Sequence, residues 1–79
     1  MRMLTIEAAN GDSADALLHA LSAFEAALVR AGGRYQIRVG LGSNRETVAV
    51  LNTLAKHIAE REAGPARVEL DGQKYLVEP

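Results

Sequence analysis

The sequence predicts an α/β (α+β) two-layer sandwich: one globular domain over 1–79, of order β-α-β-α-β-β, with a mixed four-stranded sheet and two helices on one of its faces. Three observations predict it. Two segments near the N-terminus and the middle alternate apolar and polar residues with the strand period of two. Each is followed by a stretch carrying one apolar stripe at helical spacing. The C-terminal region closes with two short alternating runs joined by Asp71-Gly72, a hairpin signature.

"MLTIEA" (3–8) sets Leu4 and Ile6 on one face and Met3, Thr5 and Glu7 on the other, as a half-buried strand does. "NGD" breaks that run. Asp12 or Ser13 is expected to cap the helix that follows, with Asp15 in its first turn. Leu17, Leu21, Phe24 and Leu28 carry the helix to Ala31, where "AGG" ends it by supplying a left-handed residue. "RYQIRVGL" (34–41) is the clearest strand. Tyr35, Ile37, Val39 and Leu41 oppose Arg34, Gln36 and Arg38 across it. The second helix starts after Gly42 and carries Val48, Leu51, Leu54, Ala55 and Ile58 on its stripe. Leu18 and Val29 are expected beside the first stripe and Val50 beside the second, where the helices pack together. "AGP" (63–65) stops the second helix, because proline cannot continue the hydrogen-bond ladder. In the hairpin "ARVEL-DG-QKYLV" the two-residue loop fixes the register: Leu70 faces Gln73, Val68 faces Tyr75, and Ala66 faces Val77.

Composition closes off several functions. Nine basic side chains against ten acidic leave a formal charge of −1, whereas nucleic-acid binders draw affinity from a basic excess that displaces phosphate counterions. The absence of cysteine removes disulfides, thiol nucleophiles and thiolate metal sites. "MRMLTIEAAN" has no apolar run or cleavage pattern, so no secretory signal is expected there, and no stretch approaches the ~20 apolar residues of a membrane span. A cytoplasmic location without membrane contact is the expectation. With only Phe24, Tyr35 and Tyr75 as aromatics, the core has to be filled by alanine, leucine and valine.

"VGLGSNRETV" (39–48) raises the question of an anion cradle, since glycines before a helix N-terminus expose free amides. Arg45 stands where a dinucleotide fingerprint needs its third glycine, and the lysine of a P-loop is missing. The segment matches a capping box instead: Ser43 accepts from the Glu46 amide, and Glu46 reaches back to the amide of Ser43. An anion held by Gly42, Ser43 and Arg45 is the lesser alternative. No catalytic constellation, metal site or cofactor is expected. His19 projects away from the helical stripe. His57 with Glu60 or Arg61 is the nearest approach to a ligand pair, and a helix-flank histidine accounts for it more simply.

Arg34, Arg38, Arg67 and Lys74 fall on the sheet face opposite the helices, among Glu69, Asp71 and Glu78, so cross-strand charge pairs are expected there. Met3, Thr5 and Leu76 share that face. The order β-α-β-α-β-β resembles, in topology, the C-terminal domain of bacterial translation initiation factor three, the archaeal Alba chromatin proteins and small sulfur-carrier proteins. The sulfur carriers hold a cysteine at the start of their first helix, and this chain has none. Alba-like proteins place basic residues in the loop after the second strand and in a long hairpin arm. The corresponding segments here are "GLGSNRE", with one arginine, and a tight "DG".

The leading expectation is a small non-enzymatic module that works through protein contacts as a homodimer or larger homo-oligomer, with an unidentified protein as the other possible partner. Its candidate interface is Met3, Thr5, Arg38, Arg67, Lys74 and Leu76. The alternative suggested by the topological resemblance is nucleic-acid binding through Arg34, Arg38, Arg45 and Arg67.

Overall fold

The computed structural model describes residues 2–61 and 65–78. In chain order the elements are β1 (Arg2–Ala8), α1 (Gly11–Ala20), β2 (Glu25–Ala31), β3 (Arg34–Leu41), α2 (Asn44–Glu60), β4 (Ala66–Leu70) and β5 (Gln73–Val77). The strands form one five-stranded sheet, β2-β3-β1-β4-β5, in which every neighbouring pair is antiparallel. The class is as expected, two helices against a sheet, but the mixed four-stranded sheet is corrected to a five-stranded antiparallel one. The strands flanking α1, β1 and β2, run parallel but are held apart by β3. Those flanking α2, β3 and β4, are held apart by β1. Both crossovers are therefore split, and no parallel pair becomes adjacent.

The extra strand comes from the segment assigned to the first helix. α1 ends at Ala20, and Leu21 caps it with its amide on the carbonyl of Leu17 at 3.0 Å. Two tight turns follow, Ser22 N–H to His19 and Phe24 N–H to Leu21. Glu25–Ala31 then pairs with β3 over its whole length, from Glu25↔Gly40 to Ala31↔Arg34. Gly32 and Gly33, at φ 58° and 77°, close that hairpin with the positive angles a two-residue primed turn requires, so they make a turn between strands and not a helix terminus. Val29 lies on β2 accordingly and not beside a helical stripe. The chain order becomes β-α-β-β-α-β-β, and the topological likeness drawn from the shorter order no longer applies.

Local chemistry sets the helix ends. The cap of α1 is Asn10 and not Asp12 or Ser13: its Oδ1 accepts from the Ser13 amide at 2.8 Å. The helix therefore starts early enough to put Asp12, and not Asp15, in the first turn. α2 is capped by Ser43 as expected, its Oγ accepting from the Glu46 amide at 3.2 Å. Glu46 Oε2 returns to the Gly42 amide at 3.0 Å, one residue earlier than the reach-back expected at Ser43. α2 ends at Glu60 with Arg61 as its C-cap; of the expected "AGP" stop, residues 63 and 64 lie outside the described residues.

The buried stripe of α2 is Thr47, Val50, Leu54 and Ile58, while Val48 is 57% exposed. Thr47 sits inward because its hydroxyl donates to the Ser43 carbonyl at 3.2 Å, so a polar residue occupies the place an apolar count gives to Val48. Leu51 and Ala55 are half-buried on the flank. The stripe packs with Leu17 and Leu21 over Leu4, Ile6, Ile37, Val39 and Val68 of the three central strands, forming one contiguous core. The outer strands are less well covered. Leu28 on β2 is 39% exposed, and Tyr75, which shares the helix-side parity on β5, is 50% exposed. The β4–β5 hairpin has the expected register, with Asp71 and Gly72 at φ 54° and 79°.

Candidate functional site

Strand alternation and register place the six candidate interface residues on one face, the one turned away from the helices. The row Ala27–Arg38–Thr5–Glu69–Lys74 crosses all five strands. Beside it run Val29–Gln36–Glu7 and Arg67–Leu76. Met3 is 51% exposed on this face and Leu76 62%. A shallow depression of about 470 Å³ lies among Thr5, Glu7, Arg67, Glu69, Lys74 and Leu76. A second, of about 390 Å³, adjoins it at Met3, Thr5 and Arg38. The face thus combines exposed apolar side chains with charges of both signs.

The cross-strand charge pairs expected on it do not form. Among the described residues the ion pairs are Arg2–Asp71 at 2.7 Å and the helical pair Lys56–Glu60 at 3.9 Å. Arg38, Arg67 and Lys74 are not within ion-pair distance of any carboxylate of the described residues. Glu69 and Lys74 are direct cross-strand partners whose charges lie beyond ion-pair distance, and for Arg38 the reason is geometric. Glu69 stands on the row of Arg38 and Lys74, but Thr5 separates it from Arg38. Asp71 is turned to Arg2, whose Nε and Nη2 both donate to its Oδ2 at 3.0 and 2.7 Å while Nη1 donates to Asn44 Oδ1 at 2.9 Å.

Arg34 lies on the same face at the β2–β3 turn, and Arg45 is in the first turn of α2, in the helical layer. The four arginines of the nucleic-acid alternative are therefore not gathered on one surface. Of the amides around the candidate anion site, those of Gly42 and Glu46 are engaged, donating to the Glu46 carboxylate and Ser43 Oγ. At Gly42 the Glu46 carboxylate takes the place an anion would have.

Sequence reasoning missed two features. β2 adds Ala27 and Val29 to the open face, and the signal for it was the Gly-Gly pair before "RYQIRVGL". Tyr75 was counted only as a hairpin partner of Val68, yet it is exposed on the opposite face of the strand that carries Leu76. Elsewhere, Arg30 lies over the Tyr35 ring with its guanidinium carbon 5.4 Å from the centroid, a cation–π contact across the β2–β3 hairpin. His57 lines a cleft of about 370 Å³ between the helices, with Leu17, Leu54, Ile58 and Arg61. Burial lowers its pKa from the usual 6.5, the Arg61 charge lowers it further, and Glu60 opposes both. Among the described residues no group of three or more histidine and carboxylate side chains is placed to hold a metal ion. No helix among them is long and apolar enough to cross a membrane. Comparison with known proteins adds no relative: no family model, no curated protein and no solved structure matches the chain.

Proposed function

We propose that this chain is a small non-enzymatic protein-interaction module that assembles with itself through the open sheet face and the β5 edge. One observation carries the reading: β5 is only partly covered, with Val77 packed at the margin of the core but Tyr75 50% exposed on the helix side and Leu76 62% exposed on the other. Two helices cover the central strands, and α2 reaches β5 only far enough to pack Val77 at the margin of the core. A domain of this size has little core to spare, and burying an exposed outer strand against a second chain is a direct way to add to it. Molar mass by size-exclusion chromatography with light scattering tests the reading. A dimer or larger species supports it, and a monomer at every concentration removes it.

A second reading, nucleic-acid binding, has in its favour that Arg34, Arg38, Arg67 and Lys74 share one face. That face carries no aromatic side chain on which a base stacks, and it interleaves Glu7 and Glu69 with the cations. The same chromatography run, with absorbance read at 260 and 280 nm, tests it. A chain with no tryptophan absorbs weakly at 280 nm, so carried nucleic acid stands out.

A further inference from the structure

We infer that the occupant of the β5 edge is the β5 strand of a second copy, paired antiparallel about a two-fold axis at Leu76, so that two five-stranded sheets become one continuous sheet. The inference rests on the self-assembly reading above and specifies its geometry.

The hairpin fixes which backbone groups are free. Leu70 and Gln73 flank the two-residue loop, and in such a loop the flanking pair exchanges both backbone hydrogen bonds. Alternation then turns the N–H and C=O groups of Gln73, Tyr75 and Val77 toward β4. Those of Lys74 and Leu76 point away from the sheet, and those of Glu78, the residue after β5 ends at Val77, do so once a second strand extends the pairing by one residue. A row of outward donors and acceptors is a template for another strand, and natural edges are commonly blunted by a lysine. Lys74 is such a residue: a strand added here has to place something compatible opposite it.

A second copy does so in one register. An antiparallel two-fold perpendicular to the sheet pairs residues of equal parity, which keeps each side chain on its own face. With the axis at Leu76, Leu76 meets Leu76 of the second copy and Tyr75 meets its Val77. Lys74 meets its Glu78 on the open face. All three outward-facing residues then form hydrogen-bonded pairs, and each charge is matched by its opposite. With the axis at Tyr75, Lys74 falls against Leu76 and Glu78 against Gly72, leaving both charges unmatched. With the axis at Val77, Glu78 falls against Leu76. The opposite edge has no equivalent solution, because Glu25 and Arg30 of β2 differ in parity and no two-fold register sets them face to face. The β5 edge alone is complementary to itself. In the resulting assembly the helices of both copies lie on one side, and the two open faces join across the axis.

The absence of cysteine makes the register directly readable. Thiols introduced by Leu76→Cys lie about 5.5 Å apart at Cα across the axis, within reach of a disulfide, whereas those introduced by Lys74→Cys lie about 14 Å apart and are out of reach. Mild oxidation is expected to convert the Leu76→Cys protein to a covalent dimer and to leave the Lys74→Cys protein uncrosslinked. In light scattering at concentrations up to about 1 mM, Lys74→Glu is expected to weaken wild-type self-association about ten-fold or more, and the double variant Lys74→Glu/Glu78→Lys to restore it. Self-association that gives no Leu76→Cys crosslink, or that is indifferent to Lys74→Glu, overturns the edge register and leaves the assembly reading standing on another surface. A wild-type monomer throughout that range overturns both.

Discussion

Arg2 and Asp71 lie 69 positions apart in sequence, and their side chains meet at 2.7 Å. The contact ties the start of β1 to the β4–β5 turn, and the same guanidinium reaches Asn44 at the start of α2. Both partners are substantially exposed, at 39% and 57%, so solvent screening limits the ion pair to about 0–1 kcal/mol. Asp71 has a second role, because its φ of 54° is tolerated by aspartate and asparagine and resisted by other side chains. Asp71→Asn removes the charge and keeps the turn, and is expected to cost less than about 1 kcal/mol. Asp71→Ala is expected to cost about 1–2 kcal/mol more. Equal urea midpoints for the two variants would rule out the backbone role.

The reciprocal cap at the start of α2 is separable from any anion chemistry. Ser43→Ala removes the acceptor of the Glu46 amide and is expected to destabilise by about 0.5–2 kcal/mol. In a domain this small, each kcal/mol corresponds to about 4–8 °C in melting temperature. Glu46→Gln keeps an acceptor for the Gly42 amide but loses the charge at the helix N-terminus, and is expected to cost about 0.3–1 kcal/mol. A melt unchanged by Ser43→Ala would show that the cap contributes nothing. A rise in melting temperature with phosphate would show that an anion displaces the carboxylate.

The rotation of α2 about its axis gives a paired prediction. Leu54 is 1% exposed and Val48 57%. Leu54→Ala is expected to cost about 2–5 kcal/mol, a large part of the ~4–12 kcal/mol that holds a domain of this length together. Val48→Ala is expected to stay within about 0.5 kcal/mol. Comparable losses at both positions would place Val48 in the core, where an apolar count alone puts it.

His57 supplies a pH dependence. Burial and Arg61 lower its pKa from 6.5, so the folded protein resists protonation there more than the unfolded chain does. As pH falls through 6.5 toward the lower folded value, the unfolded state binds more protons and stability declines. Above 6.5 the contribution is fully retained. His57→Gln is expected to flatten this part of the stability profile, and Arg61→Gln to raise the His57 pKa as followed by proton NMR. A His57 pKa at or above 6.5 would contradict the burial found here.

Legibility followed how local each signal was. β1, β3 and the β4–β5 hairpin could be read because period-two alternation and Asp-Gly are properties of a few adjacent residues. The parity that put Arg38, Arg67, Lys74 and Leu76 on one face came with them. The facing of α2 was misjudged by one position because Thr47 hides its polarity in a bond to the Ser43 carbonyl, which no hydropathy pattern records. The exposure of β5 was not legible at all, since it depends on strand order and on how far two helices reach.

β2 is the sharpest case, and it leaves a test. "EAALVRA" is composed largely of helix formers, and Leu17, Leu21, Phe24 and Leu28 continue a helical stripe into it. Pairing with β3 overrides that preference, closed by Gly32 and Gly33 at φ 58° and 77°. A peptide of residues 12–31 is expected to become helical through its C-terminal half in trifluoroethanol, as an isolated segment follows local propensity. In the whole protein, Gly32→Asn is expected to be tolerated within about 0.5 kcal/mol, since asparagine accepts this conformation in a primed turn. Gly33→Ala is expected to cost about 1–2 kcal/mol. A chain helical to Ala31 would need a left-handed residue only at Gly32, directly after the helix, and would accept Gly33→Ala without loss. The urea midpoint of Gly33→Ala therefore distinguishes a β2–β3 hairpin from a long first helix.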